Sequence, residues 1–434
     1  VFKLKIIGLF REIRGHSRRA GWALADQGIN PLVQLFLTPY LLLRLGRQDF
    51  GIWVLALTIV SMSQLVSFGS GIAATKHVSA DLGAGKGPQV LETIRAALAV
   101  ASVGGLAACI SIWLFAGQIA AAFFAKMGSA DALVPVLSLC GLAIAVQEID
   151  NVFVGVMRGA ERFDLCAKVE VPVRVAMGCV LGFLAERSAT VQMLLLVLIA
   201  MMMIKAILKG WQVASLFQDK SCCWPSFNLV PIRRVLRFGV WQWLQTAGTV
   251  FFSAADQLLV GGLLGSAALS RYSVCLQIGQ YVHMLPSAMM QVIFPRLSAL
   301  GEKVDSDRGN EILRSTTTVA VGISLVLGLP IILMSRVILT LWIGADFAAA
   351  NYSLLIVLVL VHITLAFNIA PYFVLLASGR PARSAALVLV AGMAQFVFAI
   401  AAAPFGILAV ACNRFVYSLL TAFLYRAARY KSHE

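Results

Sequence analysis

Five polar side chains, Gln242, Gln245, Thr249, Ser253 and Asp256, recur at intervals of three and four residues in an otherwise apolar stretch. That spacing predicts one polar face on a single helix. A second set, Asp26, Asn30 and Gln34, lies near the N-terminus, and a shift of 219 residues carries it onto Gln245, Thr249 and Ser253. The same shift moves Thr58, Ser61 and Gln64 onto Gln277, Gln280 and His283. Amide and hydroxyl groups on such faces either bond the hydroxyls of a polar substrate in a wet cavity or join helices to one another. The paired occurrence of the set favours the cavity.

Ionisable groups in apolar segments add a second chemistry. Asp26, Glu148, Asp150 and Asp256 are the acidic candidates, and each needs a partner, water or a role, because a charge at membrane depth costs about 2.5 to 3.5 kcal/mol. They are candidates for coupling or gating, exchanging a proton or a sodium ion as their surroundings change. Arg174 and Arg414 are the basic candidates, joined by Arg271 near a helix start. A guanidinium presents a planar fork of donors suited to phosphate oxygens. The alternative for Arg174 is an internal ion pair with Asp150 or Glu148. Asp256 corresponds to Leu37 under the 219-residue shift, so the two sets are not equivalent in charge there.

The elements that must hold these groups follow from composition. Of 434 residues, 60% are hydrophobic and 13% charged, with a mean hydropathy of +0.88. A soluble globular chain carries about a quarter charged residues. Here charge is absent from 96–125, 272–295, 315–335, 347–379 and 384–413. Runs of this length suit membrane spans, which need roughly 20 apolar residues. The pattern predicts an all-α polytopic membrane protein with twelve helices near 22–43, 50–75, 96–117, 132–157, 165–185, 189–213, 238–264, 270–295, 313–335, 350–377, 384–403 and 405–425.

Charge then orients these helices. With both termini in the cytoplasm, most of the 35 basic residues fall on the cytoplasmic side, as the positive-inside rule requires. Arg44, Arg47, Lys126, Arg187, Arg271 and Arg336 fall outside, and Arg174 and Arg414 lie within helices. The net charge of +15 is therefore an orientation signal, aided by anionic lipid headgroups, and calls for no nucleic acid. The basic N-terminal arm runs into a full span without a cleavage site and does not read as a signal peptide. Loops 214–237 and 296–314 are too short for a catalytic domain. The eight cysteines form no secreted framework, and adjacent Cys222 and Cys223 have no metal-ligand spacing around them.

The 219-residue shift also superposes Gly46 on Gly265 and brings Gly159 within one residue of Gly379. Six spans per half, an even number, give a parallel pseudo-two-fold repeat about the membrane normal. The expected organisation is a six-helix lobe over 1–213, a cytoplasmic linker over 214–237 and a second six-helix lobe over 238–434, with a polar cleft that opens to alternate sides.

Several ordered motifs run along the chain: Asp49-Phe50-Gly51-Ile52-Trp53, Arg158-Gly159-Ala160-Glu161-Arg162-Phe163, Asp256-Gln257-Leu258-Leu259-Val260-Gly261, Phe294-Pro295-Arg296-Leu297-Ser298 and Leu341-Trp342-Ile343-Gly344. In this order and spacing the chain resembles the polysaccharide-transporter branch of the multidrug/oligosaccharidyl-lipid/polysaccharide exporter superfamily, and within it the O-antigen and exopolysaccharide repeat-unit flippases. The resemblance implies a multi-pass bacterial inner-membrane carrier that turns an undecaprenyl-pyrophosphate-linked glycan from the cytoplasmic to the periplasmic leaflet. It implies no enzyme chemistry and no cofactor beyond a coupling proton or sodium ion. Glycosyltransferases and a polymerase are the implied assembly partners, membrane lipids the surroundings, and one chain supplies both lobes of a functional monomer. The alternative within the superfamily is a cation-coupled multidrug exporter, which an acidic pocket would favour. A third reading, a membrane scaffold for glycosyltransferases, predicts that every buried charge can be neutralised.

Overall fold

The structure, a computed structural model, describes residues 2–300, 306–377 and 381–429. Among the described residues, all regular structure is helical. Helix α1 (Phe2–Ser61) carries a break at Gly46, where φ is 77° and ψ 172°. It is followed by α2 (Ser63–Val66), α3 (Ser70–Gly83), α4 (Gly87–Phe123), α5 (Ala130–Gly159), α6 (Phe163–Glu186) and α7 (Val191–Phe217). Next come α8 (Leu229–Leu259), which ends in a wider turn over Val260–Leu264, and α9 (Ser266–Leu300). The chain continues through α10 (Ser306–Leu333), α11 (Ser335–Trp342), α12 (Ala345–Ala366), α13 (Ile369–Ala377), α14 (Pro381–Ala402), α15 (Ile407–Thr421) and α16 (Phe423–Ala428).

A lipid environment explains the all-helical choice, because a helix satisfies its own backbone groups where no water is available. Eight helices among the described residues are long and apolar enough to cross a membrane, the first running from Gly28 to Val66. The apolar surface is open rather than hidden: Trp113, Ile207, Trp211, Val326 and Leu333 are each at least 67% exposed. Large apolar side chains exposed in this way belong against lipid.

Two corrections concern helix ends and breaks. The second expected span, 50–75, is interrupted at Met62 and again at Ser67–Gly69, where Phe68 and Gly69 both have positive φ. Gly69 allows a close approach, since a methyl group there would press on the Gly239 backbone. The tenth, 350–377, is divided between α12 and α13 around Phe367 and Asn368.

The described chain forms two compact units. The first takes in the chain up to Arg44, Ser63–Ala116 and Pro135–Trp243. Its core includes Val78 and Ile94, which meet Phe153, Met157, Cys166 and Val213. Within it α3 and α5 approach through small residues. A methyl group on Gly155 would collide with the Gly71 backbone, and Thr75 Oγ1 donates to Gly155 O at 3.0 Å. Thr190 caps α7, its hydroxyl accepting from Met193 N at 3.4 Å.

The second unit takes in Leu45–Met62, Gly117–Val134 and the chain from Leu244 onward. Helix α12 is its central strut, packing against α9, α10, α11 and α15. The most apolar window of Ala345–Leu375 is 67% buried, against 22% for Gly309–Leu333, so α12 serves the interior and α10 the lipid face. In this unit Gly265 repeats the backbone of Gly46, with φ 90° and ψ 172°. Both conformations suit glycine, which lacks the Cβ that would clash there.

Candidate functional site

Each unit buries an ionic cluster built from different helices. In the first unit, α5 contributes Asp150, α6 contributes Glu170 and Arg174, and α7 contributes Lys205 and Lys209. The intervals Glu170–Arg174 and Lys205–Lys209 are each four residues, which sets both members of a pair on one face of their helix. Lys209 Nζ lies 2.9 Å and 3.0 Å from the two Asp150 oxygens and 2.5 Å from Glu170 Oε1. Lys205 Nζ is 3.1 Å from Asp150 Oδ2 and 3.4 Å from Glu170 Oε1. Arg174 Nε closes the ladder at 2.9 Å from Glu170 Oε2. The Lys209 side chain is fully buried and that of Arg174 is 28% exposed, so the ladder runs from the interior toward an accessible end. Three cations face two carboxylates, leaving one positive charge in excess.

Glu148, two residues before Asp150 on α5 and so on another face of that helix, is set apart from the ladder. It is fully buried, with Ser63 and Asn151 as its polar neighbours and no hydrogen bond of regular geometry to either carboxylate oxygen.

In the second unit, Asp256 on α8, Tyr272 on α9 and Arg414 on α15 meet in a fully enclosed triad. Arg414 and the Tyr272 hydroxyl both donate to Asp256 Oδ2, and Gln257 N donates to Asp256 Oδ1 at 2.9 Å. The Arg414 guanidinium lies 4.3 Å from the Phe252 ring centre, and that ring stacks on Tyr417 at 4.1 Å. Arg414 Nε and Nη2 are buried without a hydrogen-bond partner, so the fork is only partly used. Nearby, His362 Nδ1 lies 2.7 Å from Leu358 O, and Asn413 Nδ2 donates to Gln395 O at 2.8 Å.

The other sequence candidates fall at separate places. Asn30, Thr249 and Gln280 are exposed. Gln34 accepts from Thr38 at 3.5 Å, Gln277 donates to Tyr281 at 2.9 Å, and Arg271 Nε donates to Ala267 O at 3.3 Å. The side chains of Asp26, Gln242 and Gln245 lie outside the described residues.

The pairings differ from those suggested by the sequence. Arg174 pairs with Glu170, and Asp150 pairs with Lys205 and Lys209, two cations that the charge count leaves among the cytoplasmic ones. Arg414 and Asp256 pair with each other. Sequence reasoning missed Lys205, Lys209, Glu170, Tyr272 and Phe252. The two lysines did leave a signal: they stand four apart inside an apolar 27-residue helix, as a pair facing one neighbour would.

Such a cluster can exchange partners. An incoming anion competes with the carboxylates for the cations, and an incoming cation competes for the carboxylates. In a low-dielectric interior such competition is strong, because charge interactions there are little screened.

The geometry can be compared with known proteins. A family model described as a polysaccharide biosynthesis protein matches residues 41–352. A Shigella flexneri protein named “Putative O-antigen transporter” is 21% identical over 246 residues, and the match spans 56% of each chain, so this chain covers about half the length of that curated relative. Among solved structures, an inward-facing multidrug resistance MATE family transporter of the MOP superfamily matches with a TM-score of 0.75 at 13% identity, covering 94% of this chain and 97% of that one. A lipid II flippase, MurJ, in an inward closed conformation gives 0.74 at 11% identity, over 93% and 86% of the two chains. A MOP superfamily transporter from Pyrococcus furiosus gives 0.67 at 12% identity, over 95% and 93%. At these identities the structural likeness is one of fold. The family match covers well over half of the residues, and the chain belongs to the polysaccharide biosynthesis protein family.

Proposed function

We propose that this protein is a bacterial inner-membrane flippase for undecaprenyl-pyrophosphate-linked oligosaccharide repeat units, carrying them from the cytoplasmic to the periplasmic leaflet. The observation that carries this reading is the family match over residues 41–352. The fold likeness to MOP superfamily transporters and to a flippase supports it.

Two six-helix lobes, 1–213 and 238–434, joined by a linker at 214–237, rock so that a polar cleft faces one leaflet and then the other. The polyprenyl chain stays in lipid while the sugar and pyrophosphate cross, which spares their polar groups the loss of water. No covalent bond changes. Asn30, Gln34, Gln242, Gln245, Thr249, Gln277 and Gln280 bond the sugar, and Arg174, Arg271 and Arg414 serve the pyrophosphate. Asp26, Glu148, Asp150 and Asp256 couple the movement to a proton or sodium ion. The excess positive charge of the Asp150–Glu170–Lys205–Lys209–Arg174 ladder favours an anionic substrate over an organic cation.

The test is reconstitution into vesicles with a defined lipid-linked oligosaccharide, reading its accessibility to an impermeant lectin. Movement that depends on the protein and rises under a proton or sodium gradient is the expected result. A folded protein that moves nothing under either gradient overturns the reading, and uptake of a cationic dye in the same vesicles would favour the multidrug exporter.

A further inference from the structure

Outside both buried clusters, the first unit carries a cleft of about 780 Å³ between the middle of α3 and the start of α8. Lys76 and His77 line one side, and Leu229, Val230, Arg233, Arg234, Arg237 and Phe238 the other. Four permanent cations therefore converge on one concavity. Arg234 is neutralised by a forked pair with Asp81, at 2.7 Å and 2.9 Å. For Lys76, Arg233 and Arg237, no carboxylate lies within ion-pair distance among the described residues. The floor is built rather than loose. The Lys76 ammonium sits 3.8 Å over the Phe238 ring, His77 meets the same ring edge-on at 5.9 Å, and His77 Nε2 is buried without a hydrogen-bond partner.

The mouth is apolar. Leu229 is 77% exposed and Val230 78%, with Phe227 exposed at 65% two residues earlier. A free phosphate or a nucleic acid gains nothing from such a rim. A phosphate group carried on a hydrocarbon chain does, since its oxygens reach the guanidinium forks while the chain lies along the aliphatic side chains. Solvated orientation charges near lipid headgroups need neither a concave floor nor a buried acid fixing one arginine in place. Three cations without a carboxylate partner among the described residues match two negative charges better than one.

We propose that this cleft binds the dianionic phosphate headgroup of a membrane amphiphile, of which a polyprenyl pyrophosphate is the fitting class. It lies apart from the buried clusters, so its role is capture at the membrane surface before transport. Identifying the amphiphile as the transported substrate rests on the flippase reading; the binding itself does not.

The experiment is titration calorimetry of the full chain in neutral phosphatidylcholine nanodiscs, with geranyl pyrophosphate and inorganic pyrophosphate as probes. Geranyl pyrophosphate is expected to bind more tightly than inorganic pyrophosphate. Arg233→Gln with Arg237→Gln is expected to weaken both by at least about tenfold, since each loses charge-assisted contacts. The charge-conserving pair Arg233→Lys with Arg237→Lys should fall between, and an unchanged gel-filtration profile shows that the variants fold. Binding that ignores the glutamine pair overturns the proposal, as does the absence of binding. Nanodiscs containing phosphatidylglycerol separate the sources: unchanged affinity supports a dianionic ligand, and displacement by this singly charged lipid overturns it. Vesicle transport that persists in the glutamine pair without loss of rate overturns the cleft's role in capture and leaves the flippase reading standing, whereas binding without any transport does the reverse.

Discussion

Arg414 shows what a buried charge demands of its neighbours. It is fully enclosed, paired with Asp256, bonded to the Tyr272 hydroxyl and stacked over Phe252. Removing one partner leaves the other charge buried and alone, which typically destabilises by about 3 to 5 kcal/mol. Arg414→Met is therefore expected to lower the melting temperature in detergent sharply. Replacing the triad together, with Asp256→Leu, Tyr272→Phe and Arg414→Met, should restore most of that stability while transport stays lost. A triple variant that transports normally would reduce the triad to packing. Asp81 supplies a contrasting residue outside the spans. Burial pushes its carboxyl up, but the Arg234 fork and the Thr93 hydroxyl at 3.1 Å outweigh this and hold it below the usual carboxylate range. A depressed value means that the pair's contribution is complete above the unfolded carboxylate range and fades as pH falls through the folded value. The melting difference between wild type and Asp81→Asn should thus be flat from neutral pH to about pH 4 and shrink below it. A difference that grows on acidification would contradict the pairing.

At the scale of elements, small residues decide which helices meet. Gly155 and Gly159 on α5 stand four apart, and added methyl groups would press on the α3 backbone at Gly71 and Thr75 respectively. This is the close-packing use of glycine known from membrane helices. Gly155→Ala must push one backbone off the other and is expected to destabilise by about 1 to 3 kcal/mol, measured by thermal unfolding. Gly117→Ala on α4, where nothing lies within 4 Å, is the control and should be neutral or stabilise by up to about 1 kcal/mol. Equal effects would mean that helix propensity, not contact, sets the outcome. The long apolar helices were legible in the sequence, because charge-poor runs report length and lipid directly. The break at Phe68–Gly69 was not. Its reason is a neighbour, Gly239, far along the chain, and no local signal announces that. The Arg158–Phe163 motif likewise became intelligible only in place. Arg162 N bonds Met157 O to close α5, and its side chain forks onto Asp164 at 2.9 Å and 3.0 Å to start α6.

For the molecule as a whole, the number of helices that cross the membrane turns on α6, and the ionic ladder bears on it. Helix α6 is not among the eight long apolar helices, since it carries Lys168, Glu170 and Arg174 within its first half. Singly, each such charge costs about 2.5 to 3.5 kcal/mol at a span centre. Glu170 and Arg174 do not stand singly, however. They pair with each other, and Glu170 also meets Lys205 and Lys209 of α7, a helix that is among the eight. Pairing of this kind was illegible in the sequence because it joins α5, α6 and α7 through side chains far apart in number. It makes α6 acceptable as a crossing, and a crossing there has a parity consequence. Lys86 lies between α3 and α4, and Arg187 follows α6, so three passes separate them and they face opposite sides. One pass, α7, returns the chain to Lys220. In a cysteine-free background, Arg187→Cys should label with an impermeant maleimide in intact cells, and Lys86→Cys and Lys220→Cys only after permeabilisation. If Arg187→Cys and Lys86→Cys label alike, α6 does not cross. The ladder would then lie at a membrane surface, with its Arg174 end rather than the buried Lys209 open to water.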